Sequence, residues 1–469
     1  MPQAQTVAVP KRLPLVIALE NRASTLDKDS RLVNGYIEKQ GEGEFQIYKR
    51  PGLAESSRPP AADAVGRGVF FWRDNVYSIF GNTLYKDGVA VSGTVDTTRG
   101  VYRFDSCLGA TPKLQMGNGV EAYNYDAGAG LVNISDVDFP SSFCKGWAYL
   151  NGTTYIALRG SGGIQGSEIN DPTDWDPLNI IIAQIEPDTN VALAKQLVYV
   201  IDFKQWSVEI FYDAANAVGS PLARVEGAKV DYGCASEDSV QEIESSIFWI
   251  TANQSPLKQV AVMRGLKAEI ISTPPVERLI TAWDYTTIFS WQLMLNGHRF
   301  YIVTSKVSNM TLACDLDEGN AWYQWTDTNG NYLPIVSSTY NAAGAAILQH
   351  ETNGRLYTAS PSQYTDAGDL ITVDIYAPNF DGGTRRGKQL NAMYFNADQV
   401  PGSILNVRVN DRDYELSGWS NFRNVDLSQE RPSLENEGTF NRRAYNFRHR
   451  CPTFFRISSV DLQIDLCTI

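Results

Sequence analysis

Short runs rich in Val, Ile, Tyr, Phe and Trp, each four to seven positions long and separated by brief polar turns, repeat along most of the chain. The clearest series is Val69-Phe70-Phe71-Trp72, turn Arg73-Asp74-Asn75, Val76 to Phe80, turn Gly81-Asn82 and Thr83-Leu84-Tyr85. These runs follow one another too closely for helices and fit short antiparallel strands. Comparable hairpins are predicted over Lys113 to Tyr125, Gly146 to Leu158, Gln196 to Tyr212, Ser246 to Met263, and Trp291 to Thr304 with Met310 to Trp325. In the first of these the Asn118-Gly119 turn suits the positive φ of a tight hairpin. Hairpins at intervals of about 35 to 50 residues between positions 67 and 360 match the blades of a β-propeller. The fold class read from this pattern is all-β: a propeller of six blades, which a further unit over Ala345 to Thr358 would close into a ring. A series of meanders in two sandwiches is the competing arrangement.

One segment departs from the strand pattern. Thr273 is a plausible N-cap, Pro274 suits the first helical position, and Val276, Leu279, Ile280 and Trp283 fall on one helical face, so one amphipathic helix is predicted there. Three regions result: residues 1–66, an arm and hairpin with the loop Ser56 to Ala62; residues 67–371, the propeller; and residues 372–469, a β-rich docking module. The last carries longer alternating strands such as Ile404 to Val409 and Ile457 to Leu466. The terminal regions are expected to pack together as a β-sandwich-like module.

Hydrophobic residues make up 43% and charged residues 20% of the 469, and 40 Lys+Arg against 53 Asp+Glu give a net charge of -13. That balance fits a well-packed folded protein and argues against tight sequence-independent DNA binding, which requires many cationic phosphate contacts. It does permit a neutral-to-negative wall along which a phosphate backbone slides, although an acidic solvated surface gives the same composition. No apolar stretch approaches the roughly 18 residues needed to span a bilayer, and the N-terminus lacks the ordered regions of a signal peptide. Neither membrane insertion nor a cleaved signal is expected. The six cysteines are scattered, so free thiols are expected.

Candidate chemistry is sparse. Three dispersed histidines, His298, His350 and His449, form no familiar metal or triad pattern, and no nucleophile elbow or Walker motif occurs. Loops at Ser161 to Gly163 and Gly128 to Gly130 lack the helix and Lys of a phosphate cradle. Asp315-Leu316-Asp317-Glu318-Gly319 echoes the front of a calcium loop without its closing Glu, and a polar hairpin turn is the other reading. Ser167 to Trp175 departs from the sialidase propeller box. The expectation is therefore a non-enzyme with no cofactor, metal or catalytic residue. The basic cluster Arg442, Arg443, Arg448, His449, Arg450 and Arg456, interleaved with Tyr445, Phe447, Phe454 and Phe455, reads as a protein interface, with DNA contact and a solvated strand face as alternatives.

In order along the chain, several motifs resemble those of the packaged-DNA stabilisation proteins, the tail hub or nozzle subunits of short-tailed bacteriophages (podoviruses). They begin with Arg31 to Glu38, including Asn34, Tyr36 and Glu38, and Tyr48 to Leu53, including Arg50, Pro51 and Gly52. Further matches are Asp171, Pro172 and Trp175; Ala183 to Asp188; Ser207 to Tyr212 around Glu209; Ser272 and Thr273 before the helix; and Cys314-Asp315 with Trp322 to Trp325. The last hundred residues, Arg448 and Arg450 among them, match loosely. The resemblance implies a homo-oligomeric ring, usually a hexamer, below the head–tail adaptor and portal. It further implies a plug or needle, lateral fibres or spikes, and packaged double-stranded DNA passing through the lumen without sequence-specific binding. The location implied is the virion tail, assembled in the host cytoplasm. A receptor- or carbohydrate-binding tail propeller, or a glycan hydrolase, is the alternative.

Overall fold

Strands dominate the computed structural model, which describes residues 10–15, 19–20, 29–41, 44–57, 63–109, 111–182, 187–216, 218–412 and 418–467. The loop over 58–62, the segment 183–186 and most of the arm before residue 31 lie outside the described residues. Two compact units form, one of Glu55–Asn309 with Pro334–Ala359 and the other of Met1–Ala54 with Met310–Leu333 and Ser360–Ile469. Residues 310–333 thus cluster with the terminal segments.

The first unit is a β-propeller of six blades with a further short sheet that closes the ring. Blades 1 to 4 are four-stranded antiparallel sheets, running from Gly66–Trp72 to Val89–Ala90, Arg103–Cys107 to Gly130–Asn133, Ala148–Leu150 to Asp171–Ile182, and Asn190–Gln196 to Leu222–Val230. Blade 5 spans Gly233–Cys234 to Lys267–Ile270, and blade 6 begins with the hairpin Ile288–Leu295 and His298–Ser305. A short sheet of Ile335–Tyr340, Ala346–His350 and Leu356–Ser360 then closes the ring.

Local turn chemistry sets the hairpins. Arg73 and Asp74 both adopt positive φ, as do Asn151-Gly152 and Asn296-Gly297, which matches the right-handed twist of the strands they join. Asn118-Gly119 behaves otherwise. Only Gly119 has positive φ, while the Asn118 carboxamide oxygen accepts from the backbone N–H groups of Val120 and Glu121, making a longer side-chain-capped turn.

Apolar faces of neighbouring blades meet in layers. Tyr77, Ile79 and Leu84 of blade 1 pack on Leu114, Met116 and Tyr125 of blade 2. Phe203, Val208 and Ile210 of blade 4 pack on Ile247, Trp249 and Met263 of blade 5. The closing strand Ile335–Tyr340 binds both flanks through alternating side chains. Ser337 and Thr339 hydroxyls accept from Val69 and Phe71 of blade 1, and those of Ser338 and Tyr340 accept from Gln292 and Met294 of blade 6. Period-two alternation in a strand is what sends odd and even positions to opposite sides.

The predicted helix is Pro274–Thr281, with Val276, Ile280 and Trp283 buried. Thr273 occupies the N-cap position, yet its side chain makes no capping bond. Pro275 at the second helical position has no N–H to donate to it. No helix among the described residues is long and apolar enough to cross a membrane.

In the second unit the hairpin Gly35–Lys39 and Phe45–Lys49 joins Arg456–Leu466, which pairs with Lys388–Ala397. Another sheet runs Met310–Asp315, Ala321–Trp325, Arg31–Val33, Val373–Phe380, Arg443–His449 and Ile404–Asn410. Phe395 of the first sheet meets Phe447 of the second edge-on at 6.0 Å, so the terminal segments form a two-sheet core. The Asp315 to Gly319 segment is a hairpin turn in which the Asp315 carboxylate accepts from the Asp317 N–H. All six cysteines are free, four of them buried.

Gly146 adopts φ of 106°, and a Cβ there would fall on the carbonyl oxygen of Leu193, where blade 3 approaches blade 4. Gly146→Ala is expected to lower stability by roughly 2–3 kcal/mol, through overpacking and backbone strain. A thermal melt unchanged from the parent protein would contradict this close approach.

Candidate functional site

Among the motif residues, those at the N-terminus form one buried node. Asn34 lies between Arg31–Val33 and Gly35–Lys39 with φ of 54°, a conformation Asn tolerates, and there the chain leaves one sheet for the other. Its Nδ2 donates to Thr326 Oγ1 at 2.7 Å and to the Thr372 carbonyl at 2.9 Å. Its Oδ1 accepts from the Thr326 N–H at 2.7 Å and from Arg50 Nε at 3.0 Å. The Arg50 side chain is 1% exposed and grips Asp366 through two nitrogens at 3.0 and 2.5 Å, with further donations to the Thr326 and Pro51 carbonyls. Every Arg50 donor named is thereby matched to an oxygen, the condition under which a buried guanidinium is tolerated.

Gly52 follows because the strand runs so near Thr365 that a Cβ would collide with its backbone. Burial, then the neighbouring Arg50 charge, pull Lys49 down to about 8, and its Nζ donates to the Cys451 carbonyl. Tyr36 stacks on Tyr48 at 5.4 Å, whereas Glu38 is half-buried and accepts a long bond from Gln40 at 3.4 Å.

The remaining propeller motifs are separate. Pro172 O accepts from the indole N–H of Trp175 at 3.1 Å and from Asn124 of blade 2 at 3.3 Å, so this loop ties blade 3 to blade 2. Asp171 is exposed. Burial acts to raise its pKa, but bonds from Thr173 outweigh that and leave it below its ordinary value. Glu209 is buried against Lys204 in blade 4. Ser272 donates to Glu277 of the helix at 3.1 Å, with Gln259 on the same oxygen, so it is Ser272 rather than the Thr273 hydroxyl that engages the helix start.

The basic cluster does not make one positive surface. Arg443 chelates Asp411, Arg448 chelates Asp374, and Arg456 bonds Asp398, each over an aromatic ring: Phe440, Phe422 and Tyr48 respectively. Arg450 is exposed. His449 is buried, stacked on Phe455 at 4.5 Å and hydrogen-bonded to Ser403, and burial with the Lys49 charge pulls it down to about 3. The sequence could not reveal these neutralising carboxylates, since they stand 32 to 74 positions away from their arginines.

Within the propeller, the inner strands line a cavity of about 370 Å³ that includes Phe70, Arg103, Lys195, Glu242, Gln292 and Tyr340. Burial raises Asp105 to about 6, and burial together with Asp105 raises Glu242 to about 7. Among the described residues no group of three or more His, Cys, Asp or Glu side chains is placed to hold a metal ion.

Residues 32–337 match the model of a family described as phage stabilisation, "Bacteriophage P22 Gp10, beta-propeller". No curated protein sequence matches the chain. Among solved structures, a streptogramin B lyase is 9% identical, with a TM-score of 0.42 over 66% of this chain and 98% of its own. Virginiamycin B lyase from Staphylococcus aureus, in a catalytically inactive form with quinupristin, is 6% identical with a TM-score of 0.44 over 66% and 98%. The computationally designed Ika8 protein is 11% identical with a TM-score of 0.38 over 69% and 96%.

Asp366→Ala would strand the Arg50 charge in the interior. A loss of about 3–5 kcal/mol is expected, measured by denaturant unfolding of the corresponding transition. His449 supplies a pH test. Its folded pKa of about 3 lies below the ordinary 6.5, so the unfolded chain binds a proton that the folded chain refuses. Stability from this group is therefore intact above 6.5 and falls as pH drops toward 3, by up to about 1.4 kcal/mol per unit. His449→Gln should flatten the slope of unfolding free energy over that window, and an unchanged slope would refute the assignment.

Proposed function

The chain belongs to the phage stabilisation family, and from that premise we propose that it is one subunit of a ring, six-membered by the motif resemblance, that closes the virion below the head–tail adaptor. Family membership makes it a phage tail structural protein with a DNA-stabilising role. In the proposal the ring retains the packaged genome, stands above a plug or needle, carries fibres or spikes at its side, and guides DNA out on ejection. It is assembled in the host cytoplasm, does no catalysis and holds no cofactor.

The observation that carries this reading is the family match over residues 32–337, which takes in Asn34, Arg50 and most of the propeller. The cavity inside the propeller favours a conduit built between subunits. At about 370 Å³ it has room for roughly a dozen waters and none for a duplex. A net charge of -13 suits a wall that does not hold phosphates fast.

Blades 3 and 4 also present apolar side chains to solvent at neighbouring edges: Leu178 is 75% exposed, Val218 is 90% exposed, and a Cβ on Gly219 would lie 3.9 Å from the Leu178 carbonyl. Adjoining exposed apolar groups fit a subunit contact.

Native mass measurement of the purified chain mixed with its adaptor ring is expected to show a multi-copy complex. The double variant Leu178→Asp, Val218→Asp should fold normally, because both side chains are exposed, and yet lose at least tenfold in ring formation. Persistent monomers that ignore the adaptor, combined with selective binding on a glycan array, would favour the carbohydrate-binding alternative instead.

A further inference from the structure

Blade 4 encloses three charged side chains away from water. Asp202 and Lys204 stand two positions apart on Tyr199–Lys204 and share a face of the sheet, while Glu209 on Val208–Asp213 is the direct cross-strand partner of Asp202. The side chains of Asp202, Lys204 and Glu209 are all 0% exposed. Lys204 Nζ lies 2.8 Å from Glu209 Oε1 and 3.9 Å from Asp202 Oδ2. Among the described residues, neither carboxylate oxygen of Asp202 has a hydrogen-bond partner. The same sheet face carries Val200 and Phe211, which pack with Leu193 and Cys144 between blades 3 and 4.

As an ionic cluster this arrangement is costly. Carboxylates and an ammonium this deeply buried give up their hydration, and their mutual attraction repays that cost only in part. As a reactive cluster it is well composed: an amine beside a carboxyl group, an acid adjacent, and all three shut off from bulk solvent.

We propose that Lys204 and Glu209 become joined by an isopeptide bond formed within the folded blade, with Asp202 as the residue that manages the protons. Transfer of one proton from the Lys204 ammonium to the Glu209 carboxylate gives a neutral amine and a neutral acid. Burial, with the Glu209 and Asp188 charges adding to it and Lys204 opposing, holds Asp202 well above the usual carboxylate range, so it is an acid able to donate. The Lys204 nitrogen attacks Glu209 Cδ as Asp202 protonates the carboxyl oxygen. The tetrahedral centre then loses its hydroxyl as water, and the proton released from nitrogen returns to Asp202. One C–N bond forms, one C–O bond breaks, one water leaves, and no oxidant or cofactor takes part. Holding the two groups at hydrogen-bond distance replaces the bimolecular encounter that makes such a condensation slow in solution. The product ties two neighbouring strands covalently and removes both members of the buried ion pair.

Mass spectrometry of the tryptic digest of the folded protein tests this. With the bond in place, trypsin does not cut after Lys204, and the digest contains a peptide spanning 196–224 that is lighter by one water, with fragmentation placing the link between Lys204 and Glu209. Asp202→Asn, of nearly equal volume, should fold and give mostly the unlinked peptides, and Lys204→Met should abolish the link. Cleavage after Lys204 with full peptide masses in the folded parent protein would overturn the proposal. So would a link that persists undiminished in Asp202→Asn, or one that joins Lys204 to Asp202.

Discussion

A single buried guanidinium holds together three stretches of chain that are far apart in sequence. Arg50 comes from the first stretch of the terminal unit, the Thr326 carbonyl from the second and the Asp366 carboxylate from the third. Asn34 sits at the centre, its amide oxygen shared between Arg50 and Thr326. The guanidinium suits this task better than a lysine would, because its rigid fork reaches several acceptors in fixed directions at once. With that node formed, the switch of the chain between sheets at Asn34 is locked at both ends. The close run of Gly52 past Thr365 then follows from where Arg50 must lie.

The propeller was legible in the sequence because its signals are local. Alternation within a strand and the chemistry of the turn after it are written in adjacent residues, as at Arg73-Asp74 and Asn151-Gly152. The terminal unit was legible only in part. That the terminal regions pack together could be expected from strand character, but the pairing of the hairpin near residue 40 with the last strand and the grouping of 310–333 with the termini depend on contacts hundreds of positions apart. The motif residues show the same division. Arg50, Pro51 and Gly52 could be singled out, while the reason for them, Asp366, carried no local mark.

The arginine-rich C-terminal strands hide their partners for the same reason. Arginines with interleaved aromatics describe a sticky surface when their partners are unknown. Here the rings lie beneath the guanidiniums and the aspartates in front of them, so Arg443, Arg448 and Arg456 are internal fasteners of the sheet. Charge composition gives the total but not the pairing, and the pairing decides whether a basic strand can attract anything.

The strand Ile335–Tyr340 has a further consequence for how the ring comes into being. Its Ser337 and Thr339 hydroxyls meet backbone donors 268 residues earlier in the chain, whereas Ser338 and Tyr340 meet donors only 46 residues earlier. As the polypeptide leaves the ribosome, blade 1 therefore stands with one flank uncovered until nearly the whole circle has been made. The last piece inserted is a keystone that reaches out with its own hydroxyl groups to both neighbours, so the circle is sealed by the side chains of a single late strand.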